Sequence, residues 1–584
     1  MRSSRRGPAS LVLFLAGTVA GCDPGGQETA PPMQEGSPSS FPFEDVTASV
    51  GLDFHQYPGA TGQYYFVEPV GSGVALLDFD SDGDMDVYLV QAGTVPGAAE
   101  GVPVIPLAGG STLGNRLYEN RLVPDGDLSF VDTTDRAGVG DDGYGMGVAV
   151  GDVDNDGDPD LFVTNFGADV FYRNDGDGRF TDVTSLAGTL DDRWNTSAAF
   201  LDYDRDGDLD LFVATYVHFN RSTNKTCFTA DGRRDYCSPG SFKPTVDRLY
   251  RNDGGWRFTD VTVTAGLAAA EGNGLGVTVD DFNGDGWTDI YVANDQGPNH
   301  LWLSDGDGGF RETGVMSGSA YNATGQVEAS MGVSSGDFDG DGDPDLFMTH
   351  LKGQTNTLYR NDGTGQFMDV TGMLALGSAS RPHTGFGTAW FDLENDGDLD
   401  LFVANGAVTL MREQAGDSAY PYAQPNQLFR NDGGGRFEDL SGAAGPVFEI
   451  AEVSRGAAFG DLDNDGDADI VMTNNYGPTR VLLNRAADAA ASLSVTLSGS
   501  ASPRDAAGAQ VGLRLADGRV IWRRCGTDGS YLSAGDPRVL FGLEGLPTTV
   551  ALEVRWPSGR AESFPLQAGQ RKLTVAEGEG EPQH

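Results

Sequence analysis

The chain is 584 residues long, and 84 Gly together with 86 Asp plus Glu against 38 Lys plus Arg make it turn-rich and strongly acidic, at a formal charge of -48. That charge excludes nucleic acid and anionic membrane surfaces as partners. Hydrophobic residues at 39% and aromatics at 10% exclude a disordered polyanion, so the acidity sits on a folded body and needs local neutralisation.

The N-terminus reads MRSSRR, then a short apolar run, then VAGC ending at Cys22. A basic region followed by such a run is a secretion signal, too short to span a bilayer stably. VAGC resembles a bacterial lipobox, which implies removal of residues 1–21 and lipidation of Cys22; a plain signal peptide with an incidental cysteine is the rival reading. The expectation is an exported, membrane-anchored bacterial lipoprotein, periplasmic or at the cell surface, that touches the membrane through its lipid alone. Residues 22–40, rich in Gly, Pro, Ser and Gln, read as a flexible tether. No later stretch is long and apolar enough for a transmembrane helix.

From residue 41 to 485 one unit recurs seven times. Its mark is the nonapeptide DxDxDGxxD, beginning at Asp78, Asp152, Asp202, Asp281, Asp337, Asp392 and Asp461, with Asn283 and Glu394 the only substitutions at the third position. An apolar run precedes each nonapeptide and another follows; then come a segment like LYRN and one like FTDVT. Four short strands per repeat, separated by turn signals, are the pattern of a propeller blade. The predicted fold class is all-β, a seven-bladed β-propeller. FEDVT at 43–47 precedes the first acidic loop, whereas the seventh repeat stops at VLLN. The N-terminal strand is therefore expected to complete the last blade and leave no open edge. A linear solenoid, the rival architecture, would need capping repeats at both ends. After an Ala-rich stretch, residues 492–576 alternate β-type runs with turns and are expected to form a small β-rich domain.

Carboxylates at alternate positions of a tight turn point their oxygens into one cavity, as a hard dication with about six to eight oxygen ligands requires. The predicted ligands are the side chains at positions 1, 3, 5 and 9 and the backbone carbonyl at position 7, with Gly at position 6 allowing the bend. Loop by loop, positions 1, 3, 5, 7 and 9 are Asp78, Asp80, Asp82, Asp84 and Asp86; Asp152, Asp154, Asp156, Asp158 and Asp160; Asp202, Asp204, Asp206, Asp208 and Asp210; Asp281, Asn283, Asp285, Trp287 and Asp289; Asp337, Asp339, Asp341, Asp343 and Asp345; Asp392, Glu394, Asp396, Asp398 and Asp400; and Asp461, Asp463, Asp465, Asp467 and Asp469. Side chains at position 7 are expected to face solvent. Four or five carboxylates in one turn repel strongly without a cation, so up to seven Ca2+ are expected. Mg2+ is disfavoured because it prefers stricter, water-rich octahedral sites.

Cys227 and Cys237 flank a short segment in an oxidising setting and are expected to form a disulfide; Cys525 is left without a role. The pair lies in one of three long connections between second and third strands, at about 91–115, 215–247 and 405–426, on the face opposite the acidic loops. Elaborated loops on a rigid scaffold are commonly binding surfaces. Gln91, Asn165, Thr215, Asn294, His350, Asn405 and Asn474 each end a second strand there, and Tyr144, Trp194, Asn273, Glu328, His383 and Arg455 enter first strands from the same side. These side chains either form a mouth for a protein, peptide or glycan or satisfy the backbone of turns. No catalytic constellation is identifiable: GVSSG at 332–336 matches GxSxG but lies in a strand rather than at a strand-to-helix turn. The functional expectation is a monomeric adhesion, ligand-binding or scaffold module. The alternatives are a propeller enzyme of the carbohydrate lyase or oxidoreductase type, or an accessory protein of a biosynthetic or export system.

The acidic repeats resemble the FG-GAP or VCBS calcium repeats of integrin α-subunit propellers, and their coupling to LYRNDGxGxFxDVT is similar to the cartilage acidic protein family. RDAAGAQV (504–511), DGSYLSAGDPRVLFGL (528–543) and EVRWPSGR (553–560) resemble the ASPIC/UnbV domain. The resemblance implies a secreted propeller with Ca2+ in each acidic loop, the Asp281 loop departing most because it carries Asn283 and Trp287. It implies no particular activity.

Overall fold

The computed structural model describes residues 42–96, 113–189, 192–414, 416, 420–486 and 491–583. The predicted signal peptide, Cys22 and the tether lie outside the described residues. The first strand of a repeat is rich in Gly and small apolar residues, as in GMGVAVG at Gly145–Gly151, and is buried throughout; the fourth, FTD at Phe180–Asp182, buries only its Phe. That gradient puts first strands at the centre and fourth strands at the rim.

Among the described residues there are seven antiparallel sheets whose strands follow one another from first to fourth. The seventh takes its outer strand from Phe43–Asp45, which pairs with Arg480–Asn484 so that Phe43 faces Asn484. Each inner strand packs against the inner strand of the next sheet, and Ser454–Gly460 of the seventh packs against Val74–Leu77 of the first. Apolar clusters fill the spaces between neighbouring sheets. Phe162 and Phe171 pack with Leu211 and Phe258 between the second and third, and Leu76 and Val87 pack with Leu462 and Val471 between the first and seventh.

Polar side chains fasten blade to blade. Asn174 Nδ2 donates to Phe79 O (2.8 Å), Asn252 Nδ2 to Val153 O (3.1 Å), Asn361 Nδ2 to Phe282 O (2.8 Å) and Asn484 Nδ2 to Leu393 O (2.9 Å). The Asn that ends each LYRN segment thus holds the second residue of the acidic loop one blade back. In the fourth blade this position is Ser304.

The C-terminal segment has sheets of its own but lies within one compact unit with the propeller, Ser40–His584. It contains a three-stranded sheet, in which Ser492–Ser498 runs parallel to Lys572–Ala576 and antiparallel to Val539–Gly542, and a five-stranded sheet that extends to Glu581–Pro582. Its own core holds Val511, Leu513, Leu552, Val554 and Trp556. Between Val520–Arg524 and Val539–Gly542 the chain leaves these sheets and enters the middle of the propeller. Leu532 O accepts from Val148 N (3.1 Å), Ala534 O from Leu76 N (3.1 Å) and Ser530 O from Val333 N (3.0 Å), so the segment satisfies inner-strand N–H groups of the second, first and fifth blades. Tyr531 and Leu532 are fully buried. Gly73 is required here because a Cβ would fall 1.7 Å from Leu532 O. Buried Cys525 lies at the base of this segment, where burial pushes its thiol up to about 12 and makes it a packed, unreactive group.

Candidate metal centres and the two faces of the propeller

Each acidic loop is shaped by its own carboxylates. Position 1 accepts from the N–H of position 6 in every loop and from that of position 5 in five of them, as Asp78 does from Gly83 (3.0 Å) and Asp82 (3.0 Å). Gly at position 6 has a left-handed φ in all seven loops, from 88° at Gly286 to 103° at Gly157, where a side chain would be strained. Position 9 is a buried keystone. Asp160 Oδ2 accepts from Val153 N (2.9 Å) and its Oδ1 from Asn174 N (2.7 Å), and the same pair of bonds recurs at Asp86, Asp210, Asp289, Asp345, Asp400 and Asp469.

Asp160→Asn is accordingly expected to cost about 2–4 kcal/mol, because a carboxylate bond is lost and an amide donor is turned towards a backbone N–H. Urea unfolding of the variant against the parent measures it.

Five loops bring three carboxylates within 4.8 Å of one another: Asp78, Asp80 and Asp86; Asp152, Asp154 and Asp160; Asp202, Asp204 and Asp206; Asp337, Asp339 and Asp345; and Asp461, Asp463 and Asp465. The two others form no such cluster, and their third position is not an Asp. Asn283 Nδ2 donates to Asp285 Oδ2 (2.9 Å), and Glu394 pairs with Arg430 (3.3 Å).

The five clusters suit a hard cation. Asp80 Oδ1, Asp202 Oδ1, Asp204 Oδ1, Asp461 Oδ1 and Asp463 Oδ1 are buried without a hydrogen-bond partner, a costly state for a carboxylate that a dication would relieve. Burial pushes Asp78, Asp337 and Asp461 up to about 6 and Asp152 and Asp202 up to about 7, and the position-9 groups Asp160 and Asp345 reach about 9 and Asp289 about 8. Neighbouring carboxylates add to the rise.

Position 7 does not face solvent as expected. Asp84 and Asp467 are buried, and Asp158, Asp208, Asp343 and Asp398 are half-buried. At Asp158, Asp208 and Asp467 the side chain at position 4 of the preceding loop, which sequence reasoning passed over, covers the carboxylate. Asn155 Nδ2 donates to Gly207 O (3.1 Å) and Asp208 Oδ1 (2.9 Å) of the next loop, Asn395 to Asp467 Oδ1 (2.6 Å) and Asn464 to Gly83 O (3.2 Å). Arg205 donates to Gly286 O and lies 3.8 Å from the Trp287 ring centre. Where position 4 carries a side chain it thus clasps one loop to the next; Gly284 and Gly340 have none to do so.

The C-terminal segment rests on these same loops. Asp505 Oδ2 accepts from Asp152 N (3.1 Å), Asp528 Oδ2 from Val279 N (2.9 Å) and Asp536 Oδ2 from Asp461 N (3.3 Å), while Arg523 Nη2 donates to Gly397 O (2.8 Å) and Arg538 Nη2 to Asp461 O (2.6 Å).

On the opposite face the residues expected to form a mouth are mostly buried. Gln91, Asn165, Asn294, His350, Asn405, Asn474, Tyr144 and Trp194 are all buried, and His383 is half-buried. The amides serve turns: Asn294 Nδ2 donates to Pro298 O (2.9 Å), Asn405 Nδ2 to Pro425 O (3.0 Å) and Asn474 Nδ2 to Pro478 O (2.8 Å). Phe66, Val67 and Val70 cover Tyr144 and Trp194 and meet Tyr531 and Leu532 coming from the other side. Arg455 is fully buried, donating to Pro69, Gly406, Ser454 and Ala407 carbonyls with its guanidinium 4.0 Å from the Phe386 ring centre. Cys227 and Cys237 are joined by a disulfide at a Cα–Cα distance of 5.2 Å.

An FG-GAP-like repeat profile matches residues 78–163, 152–213, 228–292, 281–348, 337–403 and 416–509, and an ASPIC and UnbV profile matches 499–582. Human cartilage acidic protein 1 is 26% identical over 326 residues, 53% of this chain and 45% of that protein. The Xenopus tropicalis protein of the same name is 31% identical over 168 residues, 27% of this chain and 25% of that protein. The chain thus aligns with less than half the length of either relative. Among solved structures, BP39L lectin from Burkholderia pseudomallei is similar at a TM-score of 0.42 and 11% identity, over 71% of this chain and 96% of that one. YCF48 bound to D1 peptide is similar at 0.40 and 11%, over 77% and 99%. With most of its length matched by the repeat profile and its end by the second, the chain belongs to the FG-GAP repeat family and carries a C-terminal ASPIC and UnbV domain.

Proposed function

We propose that the chain is a calcium-binding propeller that acts as an exported ligand-binding or scaffold module, anchored through a lipid on Cys22. The observations that carry the calcium reading are the five clusters of three carboxylates and the buried, unpartnered oxygens found in three of them, at the Asp78, Asp202 and Asp461 loops. The clustered carboxylates, at positions 1, 3 and 9 of the Asp78, Asp152 and Asp337 loops and at positions 1, 3 and 5 of the Asp202 and Asp461 loops, would hold the ions; bound Ca2+ would supply positive charge that lets these carboxylates remain ionised inside the fold. Two loops, at Asp281 and Asp392, are weaker candidates for the reasons of geometry given above. No helix among the described residues is long and apolar enough to cross a membrane, and the disulfide suits an oxidising compartment.

Binding is favoured over catalysis by the geometry of a histidine and a hydroxyl brought together among the described residues. Ser330 Oγ lies 3.1 Å from His350 Nε2, but Glu328 lies 3.7 Å from that same nitrogen and His350 Nδ1 has no partner. An orienting carboxylate would bond the other nitrogen. Both residues are buried. The partner met by the face opposite the acidic loops would be a protein, peptide or glycan.

Calorimetric titration of chelated, mature chain with CaCl2 tests this. About five equivalents are expected, with Mg2+ failing to displace them, and Asp80→Ala is expected to remove one. A chain that takes up no Ca2+ would sink the proposal.

A further inference from the structure

The threaded C-terminal segment does not fill the propeller's centre completely. Where its tip meets the face opposite the acidic loops, a cavity of about 100 Å³ remains. Its walls include Phe66, Tyr216, Tyr236, Phe386 and Tyr531, all buried. They come from the covering segment, the third blade and its disulfide-clamped loop, the sixth blade and the C-terminal domain. One carboxylate, Asp295, joins them.

Asp295 is more than nine-tenths buried, at 7% exposure. Its Oδ2 accepts from the Tyr216 hydroxyl, whereas its Oδ1 has no hydrogen-bond partner. Burial holds the carboxyl up to about 7, a cost that an opposite charge in the cavity would offset. Buried Arg455 is not that charge, since its donors go to four backbone carbonyls. The cavity reaches solvent at a rim of exposed Ser238, Gln296 and Thr409.

Aromatic faces present the negative lobe of their quadrupole and attract a desolvated cation by about 2 kcal/mol or more. A carboxylate with a free oxygen adds the counter-charge, and an apolar wall excludes a strongly hydrated metal ion. Cavities of about 150 Å³ accommodate benzene, so this one suits a compact head group whose remainder extends past the rim. We infer that the cavity enclosed by Tyr216, Asp295, Phe386 and Tyr531 binds an organic ammonium head group. The inference rests on reading this face as the binding face and names the chemistry recognised there.

The test uses the full mature chain in calcium and compares choline with its uncharged carbon isostere, 3,3-dimethyl-1-butanol, by calorimetry and ligand-observed NMR. Saturable choline binding is expected, at least about tenfold tighter than the isostere. Asp295→Asn is expected to abolish that preference while calcium uptake stays at the parent value. Equal binding of the two compounds, or no saturable binding of choline, overturns the assignment. Choline binding that survives both Asp295→Asn and Tyr531→Ala puts the ligand elsewhere and overturns the cavity alone. Calcium counting on the same samples reads the proposed calcium function independently.

Discussion

Chelating the mature chain is expected to lower its melting midpoint by roughly 10 °C, and excess Ca2+ is expected to restore it. A ligand at about a hundredfold excess over its Kd stabilises the native state by about 2.7 kcal/mol per site. Five sites acting on a chain of this size move the midpoint by roughly that amount. The effect has a pH signature. In chelator, carboxyls pushed up to about 6 at Asp78, Asp337 and Asp461 and about 7 at Asp152 and Asp202 bind protons more tightly folded than unfolded. Their stabilising contribution is complete below the unfolded value and is lost as the pH rises through 6–7. Calcium needs the same groups ionised, so its increment runs the other way. The rise in midpoint on adding Ca2+ is expected to be large at pH 8 and small at pH 5. Calorimetric scans at the two pH values, with and without Ca2+, measure both slopes.

Leu532→Asp is expected to destabilise the whole chain by more than about 4 kcal/mol, since it puts a charge into the closed centre of the propeller. Leu532 is fully buried, its N–H donates to Ser197 Oγ (3.1 Å), and its carbonyl accepts from the second blade. The milder Leu532→Ala removes apolar contact alone and is expected to cost about 2–5 kcal/mol. Propeller and C-terminal domain are expected to unfold in one transition, because Asp505, Asp528 and Asp536 hold backbone N–H groups at or beside the acidic loops while the threaded segment holds inner strands. Were the domain an appended module, the variant would shift a minor transition and leave the propeller's unchanged. Circular dichroism melts with limited proteolysis distinguish the two.

Much of the propeller was legible because its signals are local. The carboxylates of one loop are contiguous, the strand runs flank them, and the missing fourth strand of the last repeat pointed to residues 43–47. What escaped reading depends on residues distant in sequence. Asn155 and Asn464 at position 4 act on the next blade, and Asn174 of the LYRN segment acts on Phe79, 95 positions earlier. Glu394 looked like an ordinary ligand because nothing nearby announces Arg430 across the sheet. The amides at Asn294, Asn405 and Asn474 had two readings, and the Pro carbonyls of their own turns decide for the structural one. The threaded segment carried a signal that was missed: Tyr531 and Leu532 form an apolar pair inside the Gly- and Ser-rich stretch DGSYLSAG. An apolar pair in an otherwise turn-like loop needs a buried place to go.

Crystals grown with calcium and measured for anomalous scattering test the central claim most directly. The account predicts peaks within about 2.5 Å of side-chain oxygens at the Asp78, Asp152, Asp202, Asp337 and Asp461 loops. Acidic loops without peaks, in crystals of folded chain at millimolar calcium, would contradict it.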